Sequence, residues 1–118
     1  NGGPSAAPSY PAAYRGVLAV TATNAAQAIY ARANQGDYIA FAAPGEDVWV
    51  PSADGGQYVS GTSFASALTA GAIARLLAGR PALDYAGVRK HLCDTARDLG
   101  ETGPDPVFGC GLLQLAGP

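Results

Sequence analysis

With 118 residues, 48% hydrophobic and only 14% charged, the chain is one domain at most and carries well under the roughly 25% charge usual for a soluble domain. Seven Lys and Arg against nine Asp and Glu give a net charge of −2 with no basic run, which argues against nucleic acid as a partner. The longest weakly charged run, Val59–Ala74, is rich in Gly, Ser, Thr and Ala and falls short of the roughly 20 apolar residues of a membrane span.

Low charge implies a surface that expects to be covered. No signal peptide is visible. The abrupt start at Asn1-Gly2-Gly3 without Met reads as a piece of a longer chain, so the missing signal carries no information on localisation.

Residues 1–13 are Gly, Pro, Ala and Ser with one Tyr, and read as a surface loop ordered by its context. Val17–Thr21 is a short continuous apolar run of the kind that suits a strand buried on both faces in a parallel sheet. Tyr38–Ala42 is a second such run, stopped by Pro44-Gly45, and Val48–Val50 is a third, ending at Pro51. Asp54-Gly55-Gly56 reads as a turn. A helix is expected from about Thr62 to Ala78, closed by Gly79-Arg80-Pro81. It has no charge before Arg75 and is small or apolar on every side, the pattern of a helix buried all round. A second helix is expected from Asp84, a suitable N-cap, to Leu99, with Gly100 as its C-terminal cap. Its apolar residues Tyr85, Val88, Leu92, Ala96 and Leu99 form one stripe, which places it on the surface. Leu112–Leu115 suits a last short strand. Cys93 and Cys110 permit one bridge over about 16 residues, worth roughly 3 kcal/mol in the chain-entropy account; two free buried thiols are the alternative. A bridge would favour a secreted or periplasmic setting.

Buried strands with a buried helix indicate an α/β fold, a partial parallel-sheet layered fold. Three short strands and one peripheral helix cannot cover the first helix on all sides, so the chain reads as part of a larger sheet protein, incomplete without an N-terminal half.

The chemistry concentrates at Gly61-Thr62-Ser63. A serine hydroxyl is a poor nucleophile until a base takes its proton. At a helix start the unpaired N–H groups and the helix dipole favour negative charge, so an oxyanion beside Ser63 could use its N–H. A structural N-cap at Thr62 or Ser63 is the plainer explanation of the same residues. The stretch is not the Gly-x-Ser-x-Gly elbow of α/β-hydrolases, because Ala65 stands where the second Gly belongs, and this disfavours a serine esterase of another fold. His91, the one histidine, lies on the later helix and reads as structural or solvated. Asp54 reads as a turn residue, and Glu46 and Asp47 as a loop edge.

Gly61-Thr62-Ser63-Phe64-Ala65-Ser66-Ala67 with Ala70-Gly71 resembles the catalytic-serine motif of subtilisin-like serine proteases, Gly-Thr-Ser-x-Ala-x-Pro-x-x-x-Gly. Four more segments follow in that family's order. Asn1-Gly2-Gly3 resembles the segment with the oxyanion asparagine, and Tyr10–Tyr14 followed by Val17–Val20 resembles the Tyr-Pro-Ala segment and its strand. Ala42–Gly45 resembles the Ala-Pro-Gly turn, and Asp98–Gly100 with Phe108–Leu112 resembles the C-terminal closure. The resemblance implies that residues 1–118 form the C-terminal portion of such a peptidase domain. It further implies that Ser63 is the nucleophile, that Asn1 donates to the oxyanion, and that Thr62, Gly2 and Gly3 shape the hole and the substrate pocket.

The family orders its residues Asp, His, Asn, Ser, so the aspartate and the histidine are expected upstream of Asn1 and this chain alone is expected to be inactive. Ala67 departs from the family's proline and Leu68 from a common histidine. A pseudoprotease or binding module on the same fold is the alternative. The implied partners are a polypeptide substrate and the missing N-terminal half, or a domain-exchanged copy. The chemistry requires no cofactor. The family often binds structural calcium, although no acidic cluster here offers a complete ligand set.

Overall fold

The computed structural model describes residues 1–114, so Leu115 of the expected last strand lies outside the described residues. Its centre is a parallel pair, β1 (Ala19–Thr23) and β2 (Ile39–Pro44), aligned from Ala19↔Ile39 to Thr23↔Pro44 with one irregularity after Ala19. Both strands are almost entirely buried, β2 through an apolar run and β1 with Thr21 and Thr23 buried among its apolar residues. β1 begins two residues later than expected. Val17 is exposed and its N–H donates to the Tyr14 carbonyl, closing a turn that uses Gly16 at φ 82°.

Residues 110–113 run beside β2 on its other edge. The Ala42 N–H donates to the Gly111 carbonyl, and the Leu113 N–H returns to the Ala42 carbonyl. The expected last strand is therefore a parallel bridge at Leu112, which also pairs antiparallel with Arg97.

β3 (Val48–Val50) and β4 (Gln57–Val59) form an antiparallel hairpin around the Asp54-Gly55-Gly56 turn. This corrects the reading of Val48–Val50 as a buried parallel strand. The hairpin is a separate two-stranded sheet, and Trp49 packs edge-on against Tyr58 while both rings stay exposed.

α1 (Thr62–Gly79) packs on β1 and β2, and Ala65 joins Ala22, Phe41 and Ala43 in a core that also holds Tyr30, Val88, Leu92 and Leu113. Only Ala65 and Thr69 of this helix are buried. The expectation of a helix buried all round is thus met on one side alone. The sheet covers that side, and the described residues supply nothing to cover the rest.

α2 (Tyr85–Thr95) starts as expected, with the Asp84 carboxylate accepting from the Gly87 N–H at 2.8 Å. It ends four residues short of Leu99. The Thr95 hydroxyl donates back to the His91 carbonyl, and Ala96 turns extended so that Arg97 can exchange two backbone hydrogen bonds with Leu112. Sheet pairing overrides the helical stripe there. Cys93 is bonded to Cys110, joining α2 to the segment beside β2.

The Pro44-Gly45 turn brings the sheet to the start of α1. The Gly61 N–H donates to the Gly45 carbonyl at 2.7 Å. A Cβ on Gly45 would stand 2.7 Å from Ala22 Cβ and 2.9 Å from the Gly61 oxygen, closer than atoms pack. Gly45→Ala is therefore expected to cost about 2 kcal/mol through overpacking, read as a lower urea midpoint with an unchanged slope.

Candidate active site

The start of α1 is unusual in its cap. The N-cap residue is Gly61, which has no side chain to offer, so Thr62 and Ser63 are the first and second helical residues and neither is the cap. The cap arrives from 61 residues away in the sequence. Asn1 Oδ1 accepts from the Thr62 N–H at 3.1 Å and from the Thr62 hydroxyl at 3.0 Å.

These two donors fix which way the Asn1 amide faces. An oxygen must meet an N–H, so the Asn1 NH₂ turns away from Thr62, and among the described residues it meets no acceptor. The Phe64 N–H folds back onto the Gly61 carbonyl at 3.1 Å. The Ser63 N–H thus remains the orphan donor of the first turn, without an acceptor among the described residues. The Ser63 side chain is exposed and its hydroxyl is likewise unpartnered among them. An orphan N–H, a positive helix end and an exposed hydroxyl at one turn form a place where negative charge on a substrate oxygen is favoured.

Gly2 and Gly3 are held rather than free. The Gly2 N–H donates to Asn34 Oδ1 at 2.8 Å and the Gly3 N–H to the Arg32 carbonyl at 3.0 Å. A cleft of about 80 Å³ is lined among others by Asn1, Ser9, Thr21, Asn34 and Thr62, while Gly2 and Gly3 are not part of its lining. The Thr21 hydroxyl is buried there without a partner among the described residues.

His91 is remote from Ser63. Its Nδ1 lies 3.3 Å from Arg80 Nη1, beyond the far end of α1. The helix rises about 1.5 Å per residue, which puts its two ends roughly 25 Å apart. His91→Ala is expected to cost no more than about 1 kcal/mol, read as an almost unchanged urea midpoint, because the half-buried ring meets the exposed Arg80. Asp54 sits in the exposed hairpin turn. Glu46 and Asp47 lie at the loop edge between β2 and β3, and among the described residues no three His, Cys, Asp or Glu side chains gather as a metal site.

A model of the subtilase family matches residues 1–111. The chain belongs to the subtilase family. This subtilase chain is 37% identical over 109 residues to the halolysin-like extracellular serine protease Nep of Natrialba magadii, an alignment covering 92% of the chain and 20% of that protein. It is 38% identical over 109 residues to the minor extracellular protease Epr of Bacillus subtilis (strain 168), covering 90% of the chain and 17% of Epr. Among solved structures it superposes on fervidolysin of Fervidobacterium pennivorans, a keratinolytic enzyme related to subtilisin, with a TM-score of 0.80 and 29% identity over 90% of the chain and 19% of that one. The subtilase chain thus spans about a fifth of the length of the curated relatives it matches first. The α/β fold with its parallel sheet agrees with these neighbours.

The residue that sequence reasoning missed is Asn34. It lies in the long β1–β2 connection, in an Ala-rich stretch with no motif around it. It is 8% exposed and its side chain accepts from the Gly2 N–H, but neither the burial nor the distant partner of a loop asparagine is visible in one sequence.

Proposed function

We propose that the protein containing this chain is a serine endopeptidase that cleaves polypeptides by acyl transfer, and that residues 1–118 are the C-terminal portion of its catalytic domain. The observation that carries this reading is the Asn1–Thr62 junction. It spends the asparagine oxygen on the helix cap and leaves the Asn1 amide and the Ser63 N–H as two uncommitted donors at the nucleophile. In the proposed reaction the Ser63 hydroxyl attacks the scissile carbonyl. Those two donors take up the charge on its oxygen, and Gly2, Gly3 and Thr62 shape the adjoining pocket. The base that removes the Ser63 proton, and the carboxylate that orients it, come from outside this chain. So does any structural calcium. The outer face of α1 is covered by the N-terminal part of the same domain or by its copy in an exchanged partner.

Secretion is part of this reading. The Cys93–Cys110 bridge suits an oxidising compartment, and the relatives Nep and Epr are named extracellular. The alternative of a non-catalytic subtilase domain rests on Ala67 in place of proline, yet α1 runs regularly through that position.

A fluorophosphonate probe tests the proposal. It is expected to label Ser63 in the full-length protein and to label the isolated 118-residue chain at least about 10³-fold more slowly, since a serine without its base is barely activated. Full-length protein that hydrolyses no peptide and takes up no probe would overturn the endopeptidase reading. Equal labelling of the two forms would overturn the claim that the base lies outside the chain.

A further inference from the structure

We infer that Asn34 is a positioning residue for the oxyanion donor, acting through Gly2 on Asn1; this rests on the reading of Asn1 as that donor. Three observations support it. Asn34 is buried, and all of its side-chain amide is used: Oδ1 accepts from the Gly2 N–H at 2.8 Å, while Nδ2 donates to Ser9 Oγ at 2.9 Å and reaches the Tyr38 hydroxyl at 3.4 Å. The backbone donor at Gly2 fixes the amide orientation, so the pattern of donors and acceptor is self-consistent.

Second, the approach is close. A Cβ on Gly2 would stand 3.2 Å from Asn34 Oδ1 and 2.8 Å from Ala6 Cβ, so the loop is pressed onto the asparagine at the residue next to Asn1.

Third, the two ends of the 2–9 segment are clasped by one side chain, whose Nδ2 also reaches the hydroxyl of Tyr38, the residue preceding β2. Asn1 is thereby held from two directions, by Thr62 at its side chain and by Asn34 through the adjoining peptide. Catalytic donors must sit within a fraction of an ångström of the developing charge, and a displacement of about 1 Å can cost about 10²-fold in rate. Removing the Asn34 acceptor strands the Gly2 N–H and frees the backbone that aims Asn1.

The test uses the full-length protein and two readouts. In the first, Asn34→Leu is expected to lower kcat about 10²-fold, Asn34→Asp, which keeps an acceptor for the Gly2 N–H, to stay within about threefold of the parent, and Asn34→Leu to cause no further loss in an Asn1→Ala background. In the second, hydrogen exchange of the peptide spanning residues 61–66 is followed by mass spectrometry in a Ser63→Ala background, which removes any dependence on catalysis. Asn34→Leu is expected to speed exchange at the Thr62 amide about tenfold or more and Asn34→Asp to leave it unchanged. If the leucine variant does not unfold cooperatively, Asn34→Ala, which withdraws the acceptor without adding bulk, serves in both arms.

Losses that multiply in the Asn1→Ala background, or Thr62 exchange unaffected by the loss of the Asn34 acceptor, would overturn the inference. A parent protein without hydrolysis or probe labelling would overturn the endopeptidase reading instead, while the exchange arm would still decide whether Asn34 holds Asn1 in place.

Discussion

Ser63→Ala in the full-length protein is expected to lower kcat by about 10⁶-fold with KM little changed, a magnitude carried over from a subtilisin rather than obtained from these distances. Asn1→Ala is expected to cost about 10²–10³-fold in kcat, again a subtilisin value. The ordering follows from the geometry at the start of α1. Removing the Ser63 hydroxyl deletes the proposed nucleophile and leaves only binding and the two donors proposed for the oxyanion. Removing the Asn1 side chain leaves the Ser63 N–H as the remaining donor and uncaps the Thr62 N–H and hydroxyl, which currently meet Asn1 Oδ1 at 3.1 and 3.0 Å. Asn1→Ala therefore carries a stability term as well, of about 1 kcal/mol for a lost helix cap. Asn1→Asp separates the two contributions: the carboxylate keeps the acceptor that caps Thr62 but withdraws the NH₂ donor. It is expected to retain stability and to lose about as much kcat as the alanine variant. Steady-state kinetics with a peptide anilide, beside urea unfolding of the same variants, would show this. An Asn1→Asp enzyme as active as the parent would remove Asn1 from the chemistry.

Breaking the Cys93–Cys110 bridge is expected to be the largest single loss of stability. The cysteines are 17 residues apart, and a loop of that size gives about 3 kcal/mol in the chain-entropy account. The position of the bridge adds to this. It fastens α2, whose buried contacts are Val88 and Leu92, to the segment whose Leu113 joins the same core and whose Gly111 pairs with Ala42. A Cys93→Ala/Cys110→Ala variant of the full-length protein is expected to unfold at a clearly lower urea concentration. Amide exchange should rise first at residues 110–113 and in α2. The site lies at the opposite end of α1, so activity at low temperature is expected to persist. A double-alanine variant as stable as the parent would show that β2 pairing alone holds the C-terminal segment.

Much of this fold was legible because its signals are local. Pro44-Gly45 stops β2, Asp84 caps α2, and the small residues after Gly61 open α1, each within a few neighbouring positions. Where the reading slipped, a distant partner had intervened. The apolar stripe of the second helix continues to Leu99, yet the helix ends at Thr95 because Arg97 pairs with Leu112. Val48–Val50 has the composition of a buried strand. It lies in an exposed hairpin because Gln57–Val59, a stretch with no apolar run, is its only strand partner among the described residues.

The candidate site divides in the same way. The sequence by itself determined that Ser63 would stand in the first turn of a helix behind a glycine, since helix initiation depends on adjacent residues and leaves its first N–H groups unpaired. It also carried, as a family pattern, the pairing of that serine with Asn1. Only the tertiary structure decided how the pairing is made: Asn1 supplies the cap that Gly61 lacks, which commits its oxygen and turns its amide outward, and Asn34 holds the loop that delivers it. A polar side chain in a loop has the same local sequence whether it faces water or clasps a distant backbone. The hydrogen bonds that separate the two cases exist only once the chain has brought residues 1, 34 and 62 together.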